Sequence, residues 1–242
     1  MNMVFKSSKI KDFEKGFTLI EILVAVAISG IVMAGIYSAY YSQQRSHEVQ
    51  EQVVTIHQNL RAAMFFMERE IRMAGLDPDK TGEYSSITIT NGDKTGSSSA
   101  LSFYEDIYNE ADDTNEPDGI FQNKEYITYA LSDTDLRRTT GKGTSDETVQ
   151  TIAEDIEFLK LFCLDTTGAV TTDSDDIVSV QIAIIARSES PDPKYTDIQA
   201  FIIPYGTSGA SKIYTVDGYP KNDSFRRELL TAQIKCRNVG LK

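Results

Sequence analysis

The chain has 242 residues, of which 40% are hydrophobic, and it carries a formal net charge of −12. A chain of this length can form one sizeable hydrophobic core or two small ones. The acidic balance argues against a nucleic-acid-binding surface, which needs clustered basic residues. Only two histidines are present, and the sequence contains no GxSxG, HExxH or GxxxxGK motif, so we expect no enzymatic activity and no nucleic-acid partner.

Residues 1–16 form a short polar segment in which lysines outnumber acidic residues. From Phe17 to Tyr41 the chain is apolar over more than the roughly 20 residues that are needed to cross a bilayer. Lysines precede this segment and none lies within it, so the positive-inside rule places residues 1–16 in the cytoplasm. An ordinary secretory signal is cleaved after its apolar core. Here the processing-type signal lies before the apolar segment, so we expect the helix to remain in the mature protein.

A second segment, from Arg45 to Met73, is polar but carries apolar residues at spacings of three and four. This pattern predicts one apolar stripe on a continuing helix. The stripe consists of Val49, Val53, Ile56, Leu60, Met64, Met67 and Ile71. Gly75 followed by Pro78 is a stop signal, and no proline interrupts residues 17–73. We therefore expect one helix over 17–73, with residues 45–73 packed on the rest of the chain.

Residues 80–242 alternate short runs rich in Ile, Val, Tyr and Phe with clusters of Gly, Ser, Thr and Asp, which is typical of antiparallel strands and loops. The candidate strands are Ser85–Thr90, Ala100–Tyr104, Lys124–Leu131, Ile156–Leu164, Ile177–Arg187, Ile198–Ile203, Ile213–Val216 and Leu229–Arg237. Exposed loops are predicted at 91–99, 139–147 and 204–211. In the strand Ile177–Arg187, alternation places Val178, Val180, Ile182 and Ile184 on one apolar face. The predicted class is α+β, with a long N-terminal helix packed on an antiparallel β-sheet head.

The most specific pattern is Lys15-Gly16-Phe17-Thr18-Leu19-Ile20-Glu21, at the start of the apolar segment. It resembles the prepilin cleavage and methylation motif shared by type IV pilins and type II secretion pseudopilins. The resemblance implies that prepilin peptidase cleaves after Gly16, that the new amino terminus at Phe17 is N-methylated, and that Glu21 directs assembly.

The physical chemistry of Glu21 points the same way. A carboxylate within an apolar helix costs about 2.5–3.5 kcal/mol on insertion scales, so it needs a partner. The freed amine of a neighbouring subunit's Phe17 would supply one. The alternative is an ordinary anchor helix whose Glu21 snorkels to the interface.

Two later segments are similar to PilW-type minor pilins: Phe65–Gly75 to their helix end, and Phe225–Asn238 to their C-terminal strand. The resemblance implies a minor pilin that helps to initiate or cap assembly of a type IV pilus, with other pilins and the inner-membrane assembly platform as partners. It implies a bacterial inner-membrane location before assembly and a place in the fibre afterwards. Two alternatives remain open: a J-like type II secretion pseudopilin, and a tip adhesin or DNA-uptake subunit.

Three weaker patterns concern bonding and ligand-binding groups. Cys163 and Cys236 lie in predicted strands, and form one disulfide in the exported head or remain two buried thiols; export favours the disulfide. The acidic turns at 112–119 and 173–176 offer oxygen ligands for Ca²⁺, although neither has EF-hand spacing and most such runs are solvated loops. His47 and His57 do not have the i, i+4 spacing of a metal pair and are expected on the surface. We predict no cofactor, with calcium as the alternative.

Overall fold

A computed structural model describes residues 16–76, 87–90, 99–107, 118–120, 122–206 and 212–239. Within these ranges the chain forms one long α-helix and ten strands, and the strands pair into antiparallel sheets. The elements are α1 (Leu19–Met73), β1 (Ile87–Thr90), β2 (Ala100–Tyr104), β3 (Tyr126–Ser132), β4 (Asp135–Thr140), β5 (Thr148–Ala153), β6 (Ile156–Leu164), β7 (Ser179–Arg187), β8 (Ile202–Tyr205), β9 (Lys212–Thr215) and β10 (Arg227–Lys235). The predicted α+β class is confirmed.

The chain divides within α1 into two compact units, residues 1–48 and 49–242. The described part of the first unit consists of residues 16–18 and the helix up to Glu48. Among the described residues, α1 is long and apolar enough to cross a membrane. The second unit contains the remainder of α1 and the ten strands.

In the second unit, α1 buries one face against the sheets. Its buried residues recur at spacings of three and four: Ile56, Leu60, Ala63, Met64, Met67, Glu70 and Ile71. The predicted stripe is therefore confirmed from Ile56 onward, whereas Val49 and Val53 are only half-buried. The helix ends at Met73, close to Gly75, whose φ of 75° is a conformation that glycine adopts without strain. Residue 78 of the predicted stop signal lies outside the described residues.

Three antiparallel sheets complete the second unit: a five-stranded sheet in the order β1-β2-β3-β4-β5, a three-stranded sheet in the order β10-β7-β6, and the hairpin β8-β9. The main core consists of side chains from α1, the five-stranded sheet and one face of the three-stranded sheet. A smaller core on the other face joins Phe158, Ala183 and Ile185 to Phe201 and Ile203 around the β8-β9 hairpin. The three-stranded sheet is thus covered on both faces.

The middle strand, β7, is buried on the face that the sequence predicts and also on the opposite face. Val180, Ile182 and Ile184 lie in the main core, on the face that alternation predicts. Ala183 and Ile185 point to the other face and are also fully buried, in the smaller core. Because the hairpin covers that second face, β7 is apolar on both sides.

Several element limits differ from the predictions. β2 and β6 have the predicted bounds, but β4 and β5 were not predicted because their sequences, DLRRTT and TVQTIA, contain few apolar residues. The predicted loop 139–147 therefore begins only after Thr140. The loop predicted at 204–211 begins after Tyr205, because Pro204 and Tyr205 belong to β8. Residues 91–98 and 207–211 of the predicted loops lie outside the described residues.

Cys163 and Cys236 are free, buried thiols, so the structure contradicts the predicted disulfide. Cys163 on β6 pairs with Val180 of β7, and the Cys236 N–H donates to the Val178 carbonyl, so β7 separates the two cysteines. Two strand spacings amount to about 10 Å. Bridged cysteines need Cα atoms within about 7 Å. Burial raises the pKa of each thiol to about 12, which keeps both protonated.

We expect a thiol reagent to leave both cysteines unmodified in the folded chain and to modify both after unfolding without reductant. Burial and protonation slow the reaction in the folded state, since the thiolate is the nucleophile. The mass of the labelled chain, measured in buffer and in guanidinium, gives the count, and a Cys163→Ala variant should gain one label fewer. An unfolded, unreduced chain that gains no label would restore the disulfide.

Candidate assembly site at the start of the helix

A capping box formed by Thr18 and Glu21 begins α1. The N–H and the Oγ1 hydroxyl of Thr18 both donate to Oε2 of Glu21, at 2.8 and 2.9 Å. The N–H of Glu21 donates to Oγ1 of Thr18 at 3.3 Å. Thr18 immediately precedes the first helical residue and Glu21 is the third, the spacing of a T-x-x-E box. This intrachain partner of Glu21 was not predicted, although the T-x-x-E pattern was its signal.

This arrangement places the Glu21 carboxylate at the positive end of the helix dipole, where negative charge is favourable. Both bonds from Thr18 go to Oε2. Among the described residues, no donor reaches Oε1 of Glu21. One carboxylate oxygen therefore satisfies the helix start, and the other has no donor within the described part of the chain.

Gly16 and Phe17 come directly before the cap. A Cβ atom built on Gly16 would meet no atom within 4 Å, so packing within the described chain does not require a glycine there. Phe17 is 85% exposed. Nothing in the described chain therefore explains either residue, and both are accessible to another protein.

The helix that follows presents apolar side chains all round. Fourteen large hydrophobic residues from Leu19 to Tyr41 are exposed, namely Leu19, Ile20, Ile22, Leu23, Val24, Val26, Ile28, Ile31, Val32, Met33, Ile36, Tyr37, Tyr40 and Tyr41. The Ser29 hydroxyl donates to the Ala25 carbonyl at 2.7 Å, so it needs no partner from outside the helix. Contiguous exposed apolar surface of this extent is unfavourable in water and marks a membrane or protein contact.

The other predicted site residues are placed as follows. His47 and His57 are exposed on α1, as predicted. At the turn 173–176, the Asp173 carboxylate accepts the Asp175 N–H at 3.1 Å and caps a short 3-10 turn. Residues 112–117 of the other acidic turn lie outside the described residues. Within the described ranges, no group of three or more His, Cys, Asp or Glu could hold a metal ion, and calcium binding stays a prediction.

The second unit contains a buried polar cluster that the sequence analysis missed. Glu70 of α1 is 4% exposed. It accepts a hydrogen bond from the Tyr129 hydroxyl at 2.6 Å, and its two oxygens share the Arg138 Nε–H, each at 2.9 Å. Burial, together with the Glu70 charge, raises the pKa of Tyr129 far above its usual range. This cluster ties α1 to β3 and β4. In the sequence, this cluster is indicated by Glu70, an acidic residue on the apolar stripe three positions after Met67.

A second buried cluster surrounds Arg227 of β10, whose side chain is 1% exposed. Its guanidinium donates to Glu157 at 2.7 Å, to Asp197 at 2.8 Å and to Asp223 at 2.6 Å. The Tyr219 hydroxyl also donates to Glu157, at 2.9 Å. Arg227 therefore joins β10 to β6 and to the segments on either side of the β8-β9 hairpin.

Comparison with known proteins identifies the class of the chain. Residues 12–37 match the family model described as "Prokaryotic N-terminal methylation motif". Among solved structures, the chain is similar to the "Type IV-like pilin TTHA1219 from Thermus thermophilus", with a TM-score of 0.50 and 12% identity over 76% of this chain and 97% of that one. At this identity the likeness shows the fold alone. Motif and fold together make the chain a type IV pilin-like protein, as the sequence predicted.

A second family model covers more than half of the chain. Residues 49–196 match "Prepilin peptidase-dependent protein B", and the chain belongs to this family. No curated protein sequence matches the chain. The PilW-type assignment stays a prediction.

Proposed function

We propose that the chain is a minor subunit of a type IV pilus, a structural protein that helps to initiate or cap the fibre. Prepilin peptidase removes residues 1–16, and Phe17 becomes the N-methylated amino terminus. Before assembly, the helix lies in the bacterial inner membrane with its amino terminus in the cytoplasm; after assembly it lies in the fibre. The exposed Gly16 and Phe17, which lie within the matched methylation motif at 12–37, support this proposal.

The capping box gives Glu21 two tasks in this proposal. Its Oε2 caps its own helix through Thr18. Its Oε1 then accepts the Phe17 amine of a neighbouring subunit, which exists only after cleavage. Thr18 is the positioning residue, because its two bonds fix the carboxylate at the helix start. The pairing offsets the cost of carrying a carboxylate into the apolar core of a fibre.

Gly30 and Gly35 support a packed fibre core as well. A Cβ atom on either residue would meet no atom within 4 Å, so the described chain itself requires neither glycine. Each costs roughly 1 kcal/mol relative to alanine within a helix. Small residues at these positions let the helices of neighbouring subunits approach closely. The same contacts provide the pilin partners, and the assembly platform of the inner membrane is the partner during insertion.

We expect Glu21→Gln and Glu21→Ala to be processed and stable in the membrane, yet to enter fibres about tenfold less than wild type, the factor that a loss of 1.4 kcal/mol produces. Glutamine keeps an oxygen that can accept the Thr18 hydrogen bonds but loses the negative charge. The Glu21→Gln variant therefore tests only the pairing with the Phe17 amine of a neighbouring subunit. Mass spectrometry of sheared fibres and membranes should find Phe17 at the amino terminus in both. Ser29→Ala is the matched control within the same helix. An intact leader in fibres, or wild-type incorporation of Glu21→Gln, would contradict the proposal.

The same experiment separates the pilus from the other assembly that uses this motif. A pilus subunit is expected in fibres sheared from the cell surface. If the chain stays in the cell envelope and its deletion blocks secretion of folded proteins, a type II secretion pseudopilin replaces the minor pilin. No described contact favours a tip adhesin or DNA-uptake subunit.

A further inference from the structure

The five-stranded sheet ends at β5, an edge strand whose only ladder partner among the described strands is β4. Residues 148–151 are exposed at every position, and Val149 is 51% exposed. The strand sequence, TVQTIA, contains no charged residue, proline or glycine. Natural sheets usually protect such an edge with lysine, proline or a bulge. The one register shift in this ladder lies at the far end of β5, at Leu136/Arg137, so residues 148–151 present an unprotected edge.

Acidic side chains lie at both ends of this edge. Asp146 and Glu147 precede β5, Glu154 follows it, and all three are exposed. Lys142 in the preceding turn is exposed as well, so residues 142–147 keep a net charge of −1, one lysine against Asp146 and Glu147. Opposite charges at facing positions stabilise a strand pair, and like charges destabilise it. The edge therefore favours a strand that carries lysine or arginine at both of its ends.

A second copy of the chain does not offer such a strand. Two β5 strands would place Glu147 against Glu154 when antiparallel, and each glutamate against itself when parallel. β10 has Lys235 at its C-terminal end, but with this lysine beside one glutamate of β5, Glu228 falls beside the other. The other described edge strands, β1, β6, β8 and β9, lack a basic residue at one end or at both. The charges therefore point to a different protein.

We propose that β5 pairs edge to edge with an extended segment of a different protein, in which a short uncharged run of β-forming residues lies between two lysines or arginines. Backbone hydrogen bonds to residues 148–151 supply the contact, and the glutamates at the two ends of β5 select the basic ends of the partner. Because both ends of β5 are acidic, the charges select the composition of the partner segment and not its direction.

This contact uses one surface of the chain and does not pass on to a further copy, which suits a subunit that starts or caps a fibre. Naming the partner as another subunit of that fibre rests on the proposed function. The strand contact itself rests on the exposure and the charges of β5 and its flanks.

The first test uses the full-length chain in detergent and a labelled synthetic peptide as long as the segment 147–154, with lysine at both ends and alternating threonine and valine between them. Fluorescence anisotropy should show that it binds. The same peptide with glutamate at both ends should bind about tenfold more weakly, because two attractive charge pairs become repulsive. The double variant Glu147→Lys/Glu154→Lys should reverse this preference. No binding, or equal binding of the two peptides, would overturn the proposal.

Two controls separate strand pairing from charge attraction alone. A peptide methylated on its backbone nitrogens keeps both lysines but cannot form the ladder, so it should lose binding. A cysteine at the centre of the unmethylated peptide should form a disulfide with Gln150→Cys on β5 and not with Thr215→Cys, an exposed position on β9. The native cysteines are buried and contribute little background. Undiminished binding of the methylated peptide, or equal disulfide yields at the two positions, would overturn the proposal.

The second test identifies the partner in cells that assemble the fibre. Gln150→benzoylphenylalanine, a photo-cross-linking side chain, should capture a different protein, and mass spectrometry should find the linked residue in a segment with lysine or arginine at both ends. Capture of a second copy of this chain alone, of a segment without those ends, or of nothing would overturn the proposal.

The amino-terminal mass of the same samples distinguishes this proposal from the proposed function. A chain processed at Phe17 and found in fibres, but without the cross-link, refutes the strand contact alone. A cross-linked chain that retains residues 1–16 or stays out of fibres refutes the proposed function and leaves the strand contact supported.

Discussion

Arg227→Ala is expected to destabilise the second unit by about 3–5 kcal/mol, the usual cost of breaking a buried ion pair by removing one partner. Without the guanidinium, Asp197 (side chain 0% exposed) and Glu157 (13% exposed) lose their buried cation. Such a loss is a large part of the total stability of a domain. Chemical denaturation of the chain in detergent measures it.

The pH dependence of this loss has a definite sign. Burial alone would raise the pKa of Glu157, but hydrogen bonds from Arg227 and Tyr219 hold its pKa below the ordinary value of 4.5. Hydrogen bonds from Arg227 likewise lower the pKa of Asp223 below 3.8. A carboxyl with a lowered pKa contributes stability above its unfolded pKa, and this is lost as the pH falls through the folded value. The difference in the free energy of unfolding between wild type and Arg227→Ala should therefore become smaller below about pH 4.

Arg226→Ala is the matched control on the neighbouring residue. Its side chain is 25% exposed, its one ion pair within the described residues is with Asp192, and it lies 4.2 Å from the centre of the Tyr195 ring. We expect a loss of about 1 kcal/mol, typical of a partly exposed pair. Arg227→Lys should fall between the two variants, because lysine keeps the charge but not the planar set of donors. Equal losses in Arg226→Ala and Arg227→Ala would contradict the role given to the buried cluster.

Features that depend on local spacing could be predicted from the sequence. The apolar stripe around Leu60 and Met67 follows from helical periodicity, and the buried face of β7 follows from alternation. The Thr18–Glu21 box was also readable, since both residues and their spacing lie within four positions. In these three cases, residues close by in the sequence determine whether a side chain is buried or hydrogen-bonded.

Features that depend on strand order could not be predicted in this way. Cys163 and Cys236 both lie in strands, but only the order β10-β7-β6 shows that β7 separates them. β4 carries few apolar residues, and its half-buried Arg138 pairs with Glu70, 68 positions earlier. The partners of Arg227 come from segments up to 70 positions away. Such polar partners leave no periodic signal in the sequence.

Glu105, directly after β2, is expected to make stability depend on pH in the opposite sense. It is 3% exposed, and within the described chain its Oε2 atom accepts no hydrogen bond. Four charged groups act on it: the carboxylates of Glu70 and Glu125, and the guanidinium groups of Arg138 and Arg69. Burial, followed by the charge of Glu70, outweighs the two arginines and raises the pKa of Glu105 to about 8.

Because the unfolded value is 4.5, the folded chain binds one more proton than the unfolded chain between that pH and about 8. The free energy of unfolding should fall as the pH rises through this window, by up to about 1.4 kcal/mol per unit, and level off above it. Glu105→Gln cannot ionise, so it should remove this slope. The variant should exceed wild type by about 3 kcal/mol at pH 7 and match it near pH 4.

Glu125→Gln is the matched control, because Glu125 is also buried but its two oxygens accept the N–H groups of Ile107 and Gln122, each at 2.9 Å. An amide offers one acceptor oxygen where the carboxylate offered two, so this variant should lose about 1–3 kcal/mol. It should keep a falling slope that ends at a lower pH, because the Glu125 charge no longer raises the pKa of Glu105. Denaturation midpoints between pH 4 and 9 measure both variants. A flat wild-type profile from pH 5 to 8, or an unchanged slope in Glu105→Gln, would assign the slope to other groups. The two buried glutamates therefore differ in their surroundings: burial and the charge of Glu70 make the protonated form of Glu105 the stable one, whereas two backbone N–H donors hold the carboxylate oxygens of Glu125.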